Sequence, residues 1–176
     1  RIIGGDWRGR KLSFPSIEGL RPTPDRVRET LFNWLSTQIA GAHCLDLYAG
    51  SGALGFEALS RGASSCCFVD NNKQVLRTLA SSVKALNCHD RATTMLADSG
   101  SLITLDQSID LVFLDPPFAS HLLTGTLDWL LKSAAVHSET LIYLESPKAY
   151  ELPSSGVSVL KEKTAGDVTS RLVVRR

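Results

Sequence analysis

The strongest constraint on the fold is an alternation of short apolar runs with helical stretches, which occupies most of the chain. The apolar runs lie at 43–48, 66–70, 92–96, 109–114 and 140–144. Helical stretches separate them at 53–61, 72–86 and 119–133, with a shorter helix expected near 100–105. Strands that alternate with helices predict a parallel sheet with helices on both of its faces.

The end of the chain breaks this rhythm. Two further apolar runs, at 156–162 and 168–175, have no helix between them, and their linker "KTAGD" is turn-like. Such a linker is typical of an antiparallel strand pair. The sequence therefore predicts an α/β fold with a mostly parallel, seven-stranded sheet that ends in an antiparallel pair, and its 176 residues suit one such domain.

The start of the chain has a pattern of its own. In "RIIGGDWRGRKLSFP", two short runs flank a centre rich in glycine and aspartate, which predicts a β-hairpin. We therefore expect an N-terminal β-hairpin extension over residues 1–19 and the main domain over residues 20–176.

A helix is expected directly after this extension, in "TPDRVRETLFNWLSTQI". Thr23 is the expected N-cap, Pro24 occupies the first helical position and Asp25 lies in the first turn. Apolar residues recur at helical spacing. Arg26 is expected beside this apolar face, whereas Arg28 is expected to reach outward.

Composition excludes several classes of protein. No apolar run has the length of a membrane span, and the first residues do not resemble a signal peptide. The four cysteines form no C-x-x-C pair and the four histidines are scattered, so we expect no metal site. Free, buried thiols are typical of a reducing compartment, which indicates the cytoplasm.

Charge is unevenly distributed although the net charge is only +1. Residues 1–37 contain seven Lys or Arg against four Asp or Glu, whereas the remainder contains twelve against fourteen. A basic N-terminal arm favours a polyanionic partner. An ordinary solvated surface is the alternative interpretation of so small an excess.

The segment "CLDLYAGSGALGFEAL" carries a glycine-rich loop between a strand and a helix. Gly50, Gly52 and Gly55 match the spacing G-x-G-x-x-G, which lets the backbone turn tightly and approach a ligand at a helix N-terminus. A tight turn formed only for packing reasons is the alternative.

Acidic residues follow three successive strands. Asp46 lies near the end of the first strand, Asp70 ends the second and Asp98 follows the third. In a parallel sheet these ends face one crevice, where such folds bind ligands. An adenosine with a ribose diol and a zwitterionic amino-acid tail fits all three acids, which describes S-adenosylmethionine (SAM). A nicotinamide cofactor is the alternative, but it leaves Asp46 without a role.

The fourth strand ends in the unusual segment "LVFLDPPF". A nucleobase amine is a poor nucleophile, and two acceptors for its N–H groups favour the pyramidal geometry that accepts a methyl group. The Asp115 carboxylate can be one acceptor and the Pro116 carbonyl the other, because Pro117 restricts Pro116 to an extended backbone. Phe118 can stack on the base. A proline-rich turn is the alternative.

Several segments together resemble one known family. "DPPF" resembles the catalytic motif of SAM-dependent amino-methyltransferases with a Rossmann-like fold. More narrowly, the chain resembles the RsmD family of bacterial 16S rRNA guanine-N2-methyltransferases over nearly its whole length. The segments that carry this resemblance are "RIIGGDWRGRKL", "LRPTPDRVRETLFNWL", "CLDLYAGSGALGFEALSRGA", "FLDPPF" and "LIYLES".

The resemblance implies a class I methyltransferase fold, SAM as cofactor, and 16S rRNA within the small ribosomal subunit as substrate. The residues expected at the cofactor are Asp46, Ala49, Gly50, Gly52, Asp70, Asn71, Asp98 and Ser99. The residues expected at the target base are Asp115, Pro116, Pro117 and Phe118. The residues expected at the RNA are Arg8, Arg10, Lys11, Arg21, Thr23, Arg26 and Arg28. We expect a monomer without a metal.

Three other functions use parts of the same sequence. A DNA or protein-amide methyltransferase would share the "DPPF" chemistry, but no separate target-recognition domain is evident for DNA. A nicotinamide-dependent oxidoreductase would explain only the glycine loop and Asp70. An RNA-binding module that has lost catalysis would have no use for Asp115.

Overall fold

The computed structural model describes residues 1–18, 20, 22–98, 103–117 and 121–176. In chain order, its helices and strands are α1 (Asp25–Trp34), β1 (His43–Leu47), α2 (Ala53–Ser60), β2 (Ser65–Asp70), α3 (Lys73–Ala85), β3 (Ala92–Leu96), β4 (Ile109–Leu114), α4 (Leu122–Lys132), β5 (Val136–Pro147), β6 (Val157–Ala165) and β7 (Val168–Arg175).

The strands form one seven-stranded sheet in the order β3-β2-β1-β4-β5-β7-β6. Strands β1 to β5 pair in parallel, whereas β7 runs antiparallel to both β5 and β6. The predicted α/β architecture and its antiparallel C-terminal pair are therefore confirmed. The parallel pairs require crossover connections, which the intervening helices supply.

Helices cover both faces of the sheet. Helices α1, α2 and α3 bury one face, around Phe32, Phe56, Leu79 and Phe113. Helix α4 buries the other, around Leu47, Val112, Leu127 and Leu130. Burial of each such side chain contributes about 1.5–3 kcal/mol. Covering on both faces also explains why the central strands are almost continuously apolar.

Strand β5 is longer than the predicted run at 140–144. It extends from Val136 to Pro147 because its start pairs with Ile109 of β4 and its end pairs with Val168 of β7. The polar residues near its start interrupt the apolar run. Pairing with two neighbours therefore sets the length of this strand.

The N-terminal segment reverses direction, but it is a turn-rich loop in place of the regular hairpin that the sequence predicted. The Ile2 N–H donates to Arg10 O and the Gly9 N–H donates to Ile2 O, each at 2.8 Å. Residues 1–18, all of which are described, contain no strand. Some of their N–H groups donate to α2 instead: the Asp6 N–H donates to Ser60 O at 2.8 Å.

Helix α1 begins one residue later than the predicted cap implies. Pro24 is the N-cap and no side chain caps the helix, so the prediction of Thr23 as N-cap is wrong. Pro24 has an extended backbone, with a ψ of 144°, and its carbonyl accepts from the Val27 and Arg28 N–H groups at 3.1 Å. A proline at this point loses no hydrogen bond, because the first helical N–H groups have no partner within the helix.

The predicted ranges of two helices include residues that the structure does not describe. Residues 99–102 of the short helix expected near 100–105 are outside it, and 103–106 are not helical. The helix expected at 119–133 is α4, which runs from Leu122 to Lys132, while 118–120 are not described. Among the described helices, none is both long and apolar enough to cross a membrane.

Candidate active site

The sheet order aligns four aspartates along one edge. Asp46 is the penultimate residue of β1, Asp70 ends β2, Asp115 directly follows β4 and Asp98 lies two residues beyond β3. These four strands are neighbours and parallel, so their carboxyl ends meet at the same edge. The structure thus brings together the acids that the sequence predicted.

The glycine-rich loop between β1 and α2 makes a tight turn at this edge of the sheet. Gly50 and Gly52, between β1 and α2, have φ angles of 57° and 76°, in the left-handed region that favours glycine. A Cβ atom on Gly52 would lie 2.6 Å from the Phe56 ring. Glycine is therefore required here both by backbone conformation and by space.

Asp70 holds this loop in place. Its Oδ2 accepts from the Gly50 N–H at 3.1 Å and its Oδ1 accepts from the Asn72 N–H at 3.0 Å. Asn72 in turn caps α3, accepting from the Gln74 and Val75 N–H groups. Each carboxylate oxygen accepts up to two hydrogen bonds, so Asp70 retains acceptor capacity for a ligand.

Asp46 lies deeper, beneath the loop. It is 3% exposed and its Oδ2 accepts from the Gly55 N–H at 3.0 Å. Burial raises the pKa of Asp46, and the charges of Asp115 and Asp70 add to this effect, while the bond from Gly55 opposes it. Asp46 therefore lies close enough to Asp115 and Asp70 to be affected by their charges.

Asp115 forms a second acidic centre with Glu145. Strands β4 and β5 pair with Phe113 opposite Tyr143 and Leu114 opposite Leu144, so the next residues, Asp115 and Glu145, are neighbours. Burial and then the charge of Glu145 raise the pKa of Asp115. A carboxylate with a raised pKa is a stronger base, which suits a group that receives a proton.

Sequence reasoning gave Tyr143 and Glu145 no role. Glu145 is 8% exposed and its Oε1 accepts from the Tyr143 hydroxyl at 2.6 Å. Burial raises the pKa of Glu145, and the Tyr143 bond opposes that rise. The available signal was in "LIYLES", where these two polar groups alternate with apolar residues and therefore share one face of β5.

The remaining predicted residues of the "DPPF" motif and of the cofactor set are only partly described. Pro116 is buried and Pro117 is exposed directly after Asp115. Ala49 and Asn71 flank the loop and the end of β2. Phe118, Ser99 and Arg21 lie outside the described residues.

The residues predicted to bind RNA fall into two groups. Arg8, Lys11 and Arg26 are exposed, and Thr23 is half-buried just before α1. Arg10 is also exposed, but its Nη2 donates to Ala85 O at 2.9 Å, at the end of α3. The N-terminal segment and α1 therefore present several cations to solvent.

Arg28 departs from its prediction. It is 4% exposed, its Nη2 lies 2.7 Å from Asp25 Oδ1 and its Nη1 lies 3.8 Å from Glu57 Oε2. Leu31 and Phe32, which follow Arg28 by three and by four residues, are also buried, so all three side chains lie on the same face of α1. Arg28 therefore does not reach outward, and the prediction of its orientation is wrong.

The cysteines are free thiols. Cys44, Cys66 and Cys88 are buried, and burial raises the pKa of each thiol. A thiol with a raised pKa is a poor nucleophile and a poor metal ligand. Within the described ranges, no three His, Cys, Asp or Glu side chains are grouped as metal ligands.

Comparisons with known proteins identify the family of the chain. The family model described as Conserved hypothetical protein 95 matches residues 1–174. Ribosomal RNA small subunit methyltransferase D of Escherichia coli K12 is 44% identical over 99% of this chain and 89% of its own length. The protein of the same name from Haemophilus influenzae is 44% identical over 98% of this chain and 92% of its own.

Solved structures share the fold. The Escherichia coli protein yhhF superposes with a TM-score of 0.89 at 44% identity, over 99% of this chain and 97% of its own. Magnesium protoporphyrin IX methyltransferase of Synechocystis, solved with bound SAM, superposes with a TM-score of 0.65 at 17% identity, over 86% of this chain and 79% of its own, which shows likeness of fold alone.

These matches cover nearly the whole chain, including the N-terminal segment. The resemblance inferred from the sequence is confirmed. The chain belongs to the ribosomal RNA small subunit methyltransferase D family.

Proposed function

We propose that the protein transfers a methyl group from SAM to the exocyclic N2 amine of a guanine in small-subunit (16S) ribosomal RNA. The observation that carries this proposal is the position of Asp115. It follows β4 directly, at the same sheet edge as the glycine loop, Asp46 and Asp70. This arrangement holds an acceptor for an amine beside a site suited to SAM.

The residues at the sheet edge fit SAM by their chemistry. Asp46 offers a carboxylate for the amino group, Asp70 for the ribose hydroxyls and Asp98 for the adenine edge. The turn at Gly50 and Gly52 leaves the main chain open to close approach, and Ala49, Asn71 and Ser99 are adjacent in sequence to Gly50, Asp70 and Asp98. When bound, SAM supplies an electrophilic methyl group on a positively charged sulfur.

The chain's own contribution to the reaction lies at Asp115 and Pro116. The Asp115 carboxylate accepts one N–H of the guanine amine, and the Pro116 carbonyl accepts the other. These two bonds orient the nitrogen lone pair, and the carboxylate stabilises the positive charge that develops on nitrogen. The Asp115 carboxylate can take the proton that the nitrogen releases, while Phe118 stacks on the base.

The substrate must present its guanine unpaired. The N2 amine lies on the Watson–Crick edge, so base pairing blocks it, and an extruded or loop base is needed. Arg8, Lys11 and Arg26 supply exposed cations for phosphates. We propose the assembled small subunit as the substrate, because so small a protein surface can recognise little RNA sequence. We also propose that the enzyme is monomeric and cytoplasmic.

Transfer of a radiolabelled methyl group from SAM tests this function. Unmodified small subunits, naked 16S rRNA, duplex DNA and ribosomal proteins are offered in parallel, with Asp115→Asn as the inactive control. We expect label in the RNA of the subunits, recovered as N2-methylguanosine. Label in DNA or protein would overturn the substrate, and label in another RNA position would overturn the target atom.

A further inference from the structure

A cavity separate from the strand-end site lies between α1 and the β6–β7 pair. Its volume is about 360 Å³. Arg26, Thr30 and Trp34 line it from α1, and Tyr143, Lys163 and Ser170 line it from the sheet. This volume lies at the lower end of the range for pockets that hold small ligands, about 300–1,000 Å³.

The charged residues that line the cavity, Arg26 and Lys163, are both cationic. Arg26 and Lys163 are exposed, and within the described residues neither forms an ion pair. None of the described lining residues is acidic. The acids adjacent in sequence are engaged elsewhere: Asp25 pairs with Arg28 at 2.7 Å, and Glu162 pairs with Arg171 at 2.6 Å.

The walls of the cavity also favour an aromatic ligand. Trp34 is half-buried: it packs against the core of the sheet and contributes to the cavity lining. Thr30 and Ser170 also line the cavity. An aromatic side chain next to unpaired cations is the pattern by which proteins bind single-stranded nucleic acid, with a base on the ring and a phosphate at the cations.

The cavity adjoins the proposed reaction centre. Tyr143 lines the cavity; its hydroxyl donates to Glu145 Oε1 at 2.6 Å, and its oxygen lies 3.3 Å from Ser170 Oγ. Glu145 is the neighbour of Asp115 across β4 and β5. The Tyr143–Glu145 hydrogen bond therefore links the lining of the cavity to the neighbour of Asp115.

We propose that this cavity binds an unpaired nucleotide of the RNA adjacent to the target guanine, with its base against Trp34 and its phosphate between Arg26 and Lys163. The inference rests on the proposed function in taking the ligand to be RNA. It adds a reason for selectivity: only an RNA with two neighbouring unpaired nucleotides fills both sites.

Binding of a fluorescein-labelled hexauridylate, measured by anisotropy without SAM, tests the cavity independently of activity. The double variant Arg26→Ala/Lys163→Ala is compared with Lys84→Ala, which removes a charge from α3, outside the cavity lining. We expect the double variant to bind about tenfold more weakly than the wild type, and the control to bind as the wild type does. Equal affinities of all three proteins would overturn the proposal.

A second variant tests the aromatic wall without depending on the charges. Trp34→Leu removes the ring but keeps an apolar side chain at the end of α1. We expect it to weaken hexauridylate binding about fivefold while its far-ultraviolet circular dichroism stays unchanged. Undiminished binding by this folded variant would remove Trp34 from the site and contradict the proposal.

The methyl-transfer assay separates failure of this inference from failure of the proposed function. Normal transfer by the double variant, with an unchanged KM for small subunits, would overturn the cavity site and leave the function intact. No transfer by the wild type, together with weaker hexauridylate binding by the double variant, would overturn the function and support a nucleotide site.

Discussion

Two buried glutamates, Glu57 and Glu145, lie in opposite electrostatic surroundings. Glu57 on α2 is 0% exposed and faces cations: Arg61 Nε lies 3.0 Å from its Oε1, and Arg28 Nη1 lies 3.8 Å from its Oε2. Glu145 on β5 is 8% exposed and faces a like charge, that of Asp115. No ion pair to Glu145 exists among the described residues.

This difference indicates that Glu57 has a structural role, whereas Glu145 belongs to the proposed reaction centre. Glu57 also accepts from the Ile3 and Gly4 N–H groups, at 2.9 and 3.0 Å, so it fastens the N-terminal segment to α2. Its charge is balanced and stays inside the fold. The Asp115–Glu145 pair is unbalanced, and an unbalanced buried pair is stabilised by a cationic or proton-donating ligand.

The largest expected effect comes from Asp115→Asn. We expect methyl transfer to fall about a thousandfold, because the amide cannot accept the proton or stabilise positive charge on nitrogen. SAM affinity, measured by calorimetry, should stay near the wild-type value. Loss of SAM binding would move Asp115 from the target base to the cofactor and break the contrast with Glu57.

Glu57→Gln tests the other side of the comparison. We expect the free energy of unfolding to fall by about 3 kcal/mol, because Arg28 and Arg61 lose their buried counter-charge. Urea denaturation measures this loss. Glu29→Gln on the exposed face of α1 is the control and should change stability little. A loss below about 1 kcal/mol would show that Glu57 does not fasten the segment.

Asp70 is an intermediate case, with backbone donors but no ion pair among the described residues. We expect Asp70→Ala to weaken SAM binding about tenfold, because it removes the ribose acceptor and the bond that holds Gly50. Asp70→Glu should retain most of the affinity. Calorimetry that finds unchanged affinity for the alanine variant would exclude Asp70 from the cofactor site.

Glu145→Gln should have the smallest effect, a shift of pH dependence. Transfer needs the Asp115 carboxylate, so wild-type activity rises with pH through its raised pKa. Without the charge of Glu145 that pKa falls, and we expect the activity to rise at lower pH. Glu139→Gln, exposed on the same strand, is the control. An unshifted pH–rate profile would show that Glu145 does not act on Asp115.

The same raised pKa values predict how stability depends on pH. Asp115 and Glu145 stabilise the folded state most at pH values below the ordinary pKa of a carboxyl group, where both are protonated. This stabilisation is lost as pH rises through their raised pKa values, because the unfolded chain releases its protons at lower pH than the folded chain does. We expect Glu145→Gln to lose less stability than the wild type over this window. Equal pH dependence in thermal denaturation would contradict the assignment.

Local patterns predicted the turn between β1 and α2 correctly. Gly50, Gly52 and Asp70 lie within short segments whose spacing requires a turn between a strand and a helix, and the structure has that turn. The orientation of Arg28 was predicted incorrectly because a single pattern of apolar spacing does not define how wide the buried face of α1 is. A hairpin would pair the N-terminal N–H groups with one another, but those of Ile3 and Asp6 donate to Glu57 and Ser60 of α2.

The sequence by itself determined the succession of strands and helices and the acids that end the strands, because both depend on periodicity within short windows. The tertiary structure alone decided which distant groups meet. Glu145 lies beside Asp115 because β5 pairs with β4, and the Ile3 N–H reaches Glu57 across 54 residues. The cavity between α1 and the β6–β7 pair likewise depends on docking of separate elements, which no local spacing encodes.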